Sequence, residues 1–293
     1  MSISTSHIRP PQRTRVLCCQ AATICFWLMT AAGCGGGGAD TPIEPPPSQS
    51  QPPATLPPPP PPPFSENRPV PDNRTSNEFR VALLGNSHVA YNDLAGLLKQ
   101  LIETGRPQAK VYTHTAGGAG YLDQRLNDQL TLPLLTQQSW THVILQGQKY
   151  STTGLYEYPI DAALFWVALI KSIQATPILF PEHATVGNKA EGARVYQLHQ
   201  TIVQREQACL TPVPQAWESS LSRFIDIPLH MNDGNHANQA GSVLTAMLFY
   251  QVITGNPADQ LPFIAGLGLP ASVQQRLAQQ ASATLQQYPA CPF

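Results

Sequence analysis

Four short segments of this 293-residue chain carry side chains or backbone able to do acyl-transfer chemistry. Gly85-Asn86-Ser87-His88 follows a run of apolar residues, so the Ser87 hydroxyl falls on the first turn after a strand, where a following helix's free amides can face a substrate. A serine there is placed to be a nucleophile, and equally placed to cap the helix. Ala116-Gly117-Gly118-Ala119-Gly120 lacks bulky side chains, which lets backbone amides approach a ligand, although a plain tight turn needs the same glycines. Leu145-Gln146-Gly147-Gln148 offers amide side chains after another apolar run. Asn232-Asp233-Gly234-Asn235-His236 puts a carboxylate and an imidazole three residues apart in a turn ahead of an amphipathic helix. Asp233 can then hold one imidazole nitrogen while the other points at Ser87, the arrangement of a nucleophile, a general base and its orienting acid.

These segments need a scaffold that brings them to one edge. Strands are expected at 79–84, 110–113, 140–146, 177–180 and 208–213, and helices at 92–104, 159–172, 190–204, 238–254 and 270–287. The first helix shows Leu94, Leu97, Leu98, Leu101 and Ile102 on one face, with Gly105 as its stop. Strands separated by crossover helices call for a parallel sheet covered on both faces, with ligands at the carboxyl ends of its strands. Each candidate segment except the last follows one of those strands directly.

In this order, at these strand ends, the segments resemble the SGNH (GDSL-like) hydrolase superfamily, in the branch whose first block reads Gly-Asn-Ser. The likeness spans about residues 79–255. Gly85-Asn86-Ser87 is similar to block one, Gly117-Gly118 to the block-two glycine, and Asp233-x-x-His236 to block five. The resemblance implies a three-layer α/β/α, flavodoxin-like domain with about five parallel strands, and a cofactor-free serine esterase acting on short acyl groups such as acetyls on carbohydrate. It implies Ser87, Asp233 and His236 as the triad, and the amides of Ser87 and Gly118 with the Gln146 side chain as oxyanion donors. Block three departs from the usual Gly-x-Asn-Asp: Gln146-Gly147-Gln148 is similar to the Gln-Gly-Glu of some acetylesterase branches, which leaves Gln148 as the other choice of third donor. A different class of function on the same fold is a tethered module that holds a glycan or cell-wall polymer without cleaving it.

Other chemistries fit less well. An α/β-hydrolase elbow would need Gly where Val89 stands. The glycines lack the Lys-Ser/Thr pair of a phosphate loop, and Asp123 occupies the place of a third fingerprint glycine. His114, His142, His183 and His230 form no His-Glu-x-x-His or compact His/Cys pattern, so no metal is expected. Glu182-His183 is expected in a surface loop after the fourth strand, and Tyr121, Tyr150, Tyr156 and Trp217 either line a sugar cleft or pack on the core.

The N-terminal quarter speaks to location. Arg9, Arg13 and Arg15 precede an apolar run, Val16 to Met29, and then Ala31-Ala32-Gly33-Cys34. That order is a secretory signal over residues 1–33, and the run of about 14 residues is short of the ~20 that span a bilayer. Ala31-Ala32-Gly33-Cys34 resembles a bacterial lipobox with Ala31 in place of Leu, which implies a lipid on Cys34 and anchoring in a bacterial cell envelope. Residues 34–75 hold four consecutive glycines and half of the 30 prolines, a composition for a disordered tether with polyproline character. The hydrolase-like domain then occupies 76–293. With 17 basic and 18 acidic residues, three of the basic ones in the signal, nothing suggests nucleic acid as a partner. Cys209 and Cys291 form an even pair in the exported part, bridged or free.

Overall fold

A computed structural model describes residues 68–293. The signal, Cys34 and most of the Pro-rich arm lie outside the described residues. Its elements run β1 (Glu78–Leu84), α1 (Ser87–Ala90), α2 (Leu94–Gly105), β2 (Lys110–Thr115), α3 (Leu122–Arg125), α4 (Thr131–Thr136), β3 (His142–Leu145), α5 (Asp161–Ser172), β4 (Thr176–Leu179), α6 (Lys189–Arg205), β5 (Cys209–Leu210), α7 (Val213–Arg223), α8 (Gln239–Thr254) and α9 (Ala271–Gln287).

The five strands form one parallel sheet in the order β2-β1-β3-β4-β5. Because side chains alternate across a strand, β1 sends Phe79, Val81 and Leu83 to one face and Ala82 and Leu84 to the other. The first face packs against α2, α7, α8 and α9, the second against α3 to α6, giving three layers, α/β/α. From β1 the chain turns to one side for β2 and then crosses to the other for β3, so order reverses at β1. That switch opens a crevice at the carboxyl end of β1.

Several boundaries differ from expectation. The helix expected at 92–104 starts at Leu94: Asn92 and Asp93 adopt left-handed φ values of 54° and 49°, separating α1 from α2, and the Asp93 carboxylate caps α2 by accepting from the Gly96 amide at 3.0 Å. The segment after β5, expected to extend a strand to 213, turns helical there, with a proline in the first turn of α7, where its missing N–H costs nothing. The domain also starts earlier than 76. Val70 is buried in the core, and the Asn73 side-chain amide donates to Thr141 O (2.9 Å) and Thr176 Oγ1 (3.0 Å). A disulfide joins Cys209 on the edge strand to Cys291 near the C-terminus. No helix among the described residues is long and apolar enough to cross a membrane.

Candidate active site

The turn after β1 has a steric requirement. A Cβ on Gly85 would lie 2.3 Å from Gln146 Oε1 and 2.4 Å from Val89 Cγ2, so any side chain here must displace both. Asn86 then caps α1, its Oδ1 accepting from the His88 amide at 3.0 Å, and Ser87 opens the helix exposed to solvent.

The imidazole comes from the other end of the domain. Residues 230–237 form a tight turn held by a bridge between His230 and Ala237, with Met231 N donating to His236 O at 2.7 Å and Gly234 N to Met231 O at 3.0 Å. Asn238 caps α8 at the end of that turn through the Gly241 amide, 3.1 Å away. Within the turn, Asp233 Oδ1 accepts the amides of Asn235 (2.9 Å) and His236 (3.0 Å), leaving Oδ2 for His236 Nδ1 at 2.6 Å. His236 Nε2 stands 2.8 Å from Ser87 Oγ, a hydroxyl 149 positions away in the chain. The His236 hydrogen bond and those two amides hold the Asp233 carboxyl well below the usual carboxylate range.

The two halves are stapled together next to Ser87 and His236. Asn92 donates to Ala237 O at 2.7 Å and to Ser242 Oγ at 2.9 Å, tying the segment after Ser87 to the one after His236. Asn tolerates the left-handed backbone this link requires. On the opposite side the β4–α6 loop docks on the turn, with Val186 N donating to Gly234 O at 2.8 Å and His183 Nε2 bonded to Asn235 O at 2.9 Å.

The glycine loop after β2 lies beside Ser87. A Cβ on Gly120 would touch Asn86 Cβ at 3.1 Å, and one on Gly147 would strike Gly120 O at 2.4 Å, so backbones from the ends of β1, β2 and β3 meet here. Gly118 has φ +86°, a conformation that favours glycine. Among the described residues neither the Ser87 nor the Gly118 N–H donates to another group of the protein. Two free backbone donors, one on the Ser87 turn and one in the glycine loop that meets this turn at Asn86, are of the kind an oxyanion hole needs.

Gln146 is placed otherwise than expected. It is fully buried; its Oε1 accepts the Asn86 amide at 2.7 Å and its Nε2 donates to Glu182. In this geometry Gln146 braces the Ser87 turn, and its Nε2 is committed to Glu182. Gln148 offers no substitute, since its Nε2 donates to Lys149 O (2.9 Å) and Pro159 O (3.0 Å).

Glu182 and His183 are buried, not in a surface loop. Burial raises the Glu182 carboxyl to about 7. His183 stacks on Trp217 with centroids 3.5 Å apart and meets His88 edge-on at 5.2 Å. Trp217 therefore belongs to the core, its Nε1 donating to Thr245 Oγ1 at 3.0 Å, and Tyr150 is spent on Glu191 at 3.0 Å. Tyr121 and Tyr156 remain exposed. The sequence alone assigns no role to His88, Tyr91 or Arg125. A cavity of about 350 Å³ lies between α6, α7 and the β4–α6 loop, lined by Val186, Pro214, Trp217, Leu221 and His230 among others, and none of Ser87, Asp233 and His236 lines it. Among the described residues no three His, Cys, Asp or Glu side chains are grouped to hold a metal ion.

No family model matches the chain, and no curated relative matches it. Solved structures do. A DUF4886 family protein from Bacteroides uniformis superposes with a TM-score of 0.56 at 12% identity, over 72% of this chain and 96% of that one. A protein from Slackia heliotrinireducens assigned as an SGNH hydrolase aligns with a TM-score of 0.48 at 20% identity, over 59% of this chain and 98% of that one. The psychrotrophic esterase EstA from Pseudoalteromonas aligns with a TM-score of 0.43 at 18% identity, over 61% and 98%. The chain thus shares its three-layer fold with the Bacteroides protein.

Proposed function

We propose that this protein is a serine ester hydrolase of the SGNH type. The observation that carries the reading is the unbroken hydrogen-bonded series Asp233–His236–Ser87, at 2.6 and 2.8 Å. The Ser87 Oγ–H proton passes to His236 Nε2 as Oγ bonds to the ester carbonyl carbon, while Asp233 fixes the imidazole tautomer and faces its new positive charge. The carbonyl oxygen becomes an anion, received by the N–H groups of Ser87 and Gly118. The bond to the alkoxy oxygen then breaks, and His236 returns its proton to the departing alcohol. Water repeats the cycle on the acyl-enzyme and releases the acid.

The substrate we infer is an acetyl or other short acyl group on a carbohydrate. Ser87 is exposed and the Asp233 side chain is 45% exposed, so the triad sits at an open rim accessible to an acyl group on a bulky carrier. We also propose that the chain is exported, loses residues 1–33, and is held in a bacterial envelope by lipid on Cys34, with the Pro-rich segment as its arm.

The test is a fluorophosphonate probe together with p-nitrophenyl acetate. Wild type is expected to be labelled and active, and Ser87→Ala to lose labelling and at least about 10³-fold in turnover with thermal unfolding unchanged. An unlabelled, inactive wild type that binds a glycan would replace the enzyme with a non-catalytic binding module.

A further inference from the structure

An oxyanion hole made of two loops works only if something fixes their spacing, because donors must be held in place before the charge develops. Arg125, at the end of α3, is 1% exposed and reaches between those loops. Its Nη2 donates to Gly85 O at 3.0 Å, in the turn that leads to Ser87. Its Nη1 donates to Gly117 O at 3.0 Å and to Thr131 Oγ1 at 3.0 Å, with the Asp128 carboxylate 3.8 Å away.

The Gly117 carbonyl belongs to the same peptide group as the Gly118 N–H. In a trans peptide those two bonds point in opposite directions, and the described residues contain no cis bond. A guanidinium fastened to Gly117 O therefore aims the Gly118 N–H away from itself. Asp128 Oδ2 accepts the Ala119 amide at 3.3 Å, so the peptide groups on both sides of Gly118 are gripped by one ion pair. A cation on the carbonyl also polarises the peptide and strengthens its N–H as a donor.

We propose that Arg125 is a positioning residue of the oxyanion hole: by bridging the carbonyls of Gly85 and Gly117, it sets the Gly118 amide against Ser87. This rests on the hydrolase reading above. Lysine keeps the charge but lacks the planar fork that spans two carbonyls, so the arrangement distinguishes geometry from charge.

The experiment compares wild type with Arg125→Lys on p-nitrophenyl acetate, alongside an alkyl boronic acid, whose tetrahedral adduct with Ser87 mimics the anion. In a variant that still melts cooperatively, kcat is expected to fall about 10- to 100-fold with KM within twofold, and the boronate inhibition constant to rise by the same factor. Unchanged kcat, a rise in KM alone, or a fall in kcat with full boronate affinity would each overturn the assignment. If Arg125→Lys does not fold, Thr131→Val decides: at nearly constant volume it removes the hydroxyl that accepts from Arg125 and donates to Asp128. It should show the same paired loss at about 3- to 10-fold, and no loss overturns the role. A wild type that is not labelled by fluorophosphonate removes the hydrolase reading and this one together, whereas an active wild type with an indifferent Arg125→Lys removes this one alone.

Discussion

The ring of Tyr91 lies against the imidazole of His236, with centroids 4.2 Å apart and planes 30° apart. His88 approaches the same imidazole at 5.3 Å. The ring that passes the proton in the proposed mechanism is therefore held by packing as well as by Asp233. Tyr91 is expected to act through its ring, so Tyr91→Phe should keep activity and Tyr91→Ala should lower kcat about 3- to 10-fold, as an aromatic contact of about 0.5–1.5 kcal/mol allows. Steady-state kinetics of the two variants checks this; a loss in Tyr91→Phe equal to that in Tyr91→Ala would assign the effect to the hydroxyl.

Gly85 and Gly117 should respond in opposite ways to the same methyl group. At Gly85 the new carbon meets Gln146 Oε1 and Val89 inside van der Waals distance, and the Gln146 brace on the Asn86 amide must give way. Gly85→Ala should destabilise the fold by about 1–3 kcal/mol and abolish labelling of Ser87. At Gly117 a Cβ meets nothing within 4 Å, so Gly117→Ala should change stability by less than about 0.5 kcal/mol. Urea unfolding of both measures the contrast.

How far these contacts could be read in advance follows from their range. The alternation of Phe79, Val81 and Leu83 with Ala82 and Leu84 is local and specifies a strand buried on both faces. The Asp233 and His236 spacing is local too, because a single turn sets the geometry between them. Gln146 is different: its side chain looks free in the sequence, and only packing between β1 and β4 commits it to Asn86 and Glu182. Glu182-His183 reads as a polar loop, yet Trp217 covers it from α7, a helix obscured by its own prolines and serines. The four-residue helix α3 has too few turns for a periodic signal, and Arg125 is hidden with it.

Buried histidines should make the fold acid-labile. Burial lowers His142 to about 3 and His199 and His88 to about 4, and holds His183 well below its ordinary value. Each is neutral in the fold and gains a proton on unfolding once the pH drops below about 6.5, so stability falls as pH falls from there toward 4. The loss is on the order of 3 kcal/mol by pH 4 for each of His142 and His199. Glu182, raised to about 7, works the other way, since the folded state keeps its proton between the unfolded value and 7. One carboxyl opposes four imidazoles, and the melting temperature should climb from pH 4.5 to 6.5. A flat profile would mean that the histidines take up protons without unfolding.

The disulfide should matter more to stability than to catalysis. Cys209 lies on β5, a two-residue strand at the sheet edge, and Leu210 N donates to Ala290 O at 2.7 Å beside the bridge. So short a strand has few ladder bonds of its own, and the C-terminal segment is its outer neighbour. Closing a loop across 82 positions restricts the unfolded chain by about 4 kcal/mol in the chain-entropy account. Replacing both cysteines, Cys209→Ser with Cys291→Ser, should lower stability by an amount of that order and remove the response to reductant. Because Ser87, Asp233 and His236 are held by Gln146, Asn92 and their own turn, kcat of the folded double variant should stay within about twofold of wild type. A large fall in kcat without a fall in stability would place the β5 edge in the path that positions the triad.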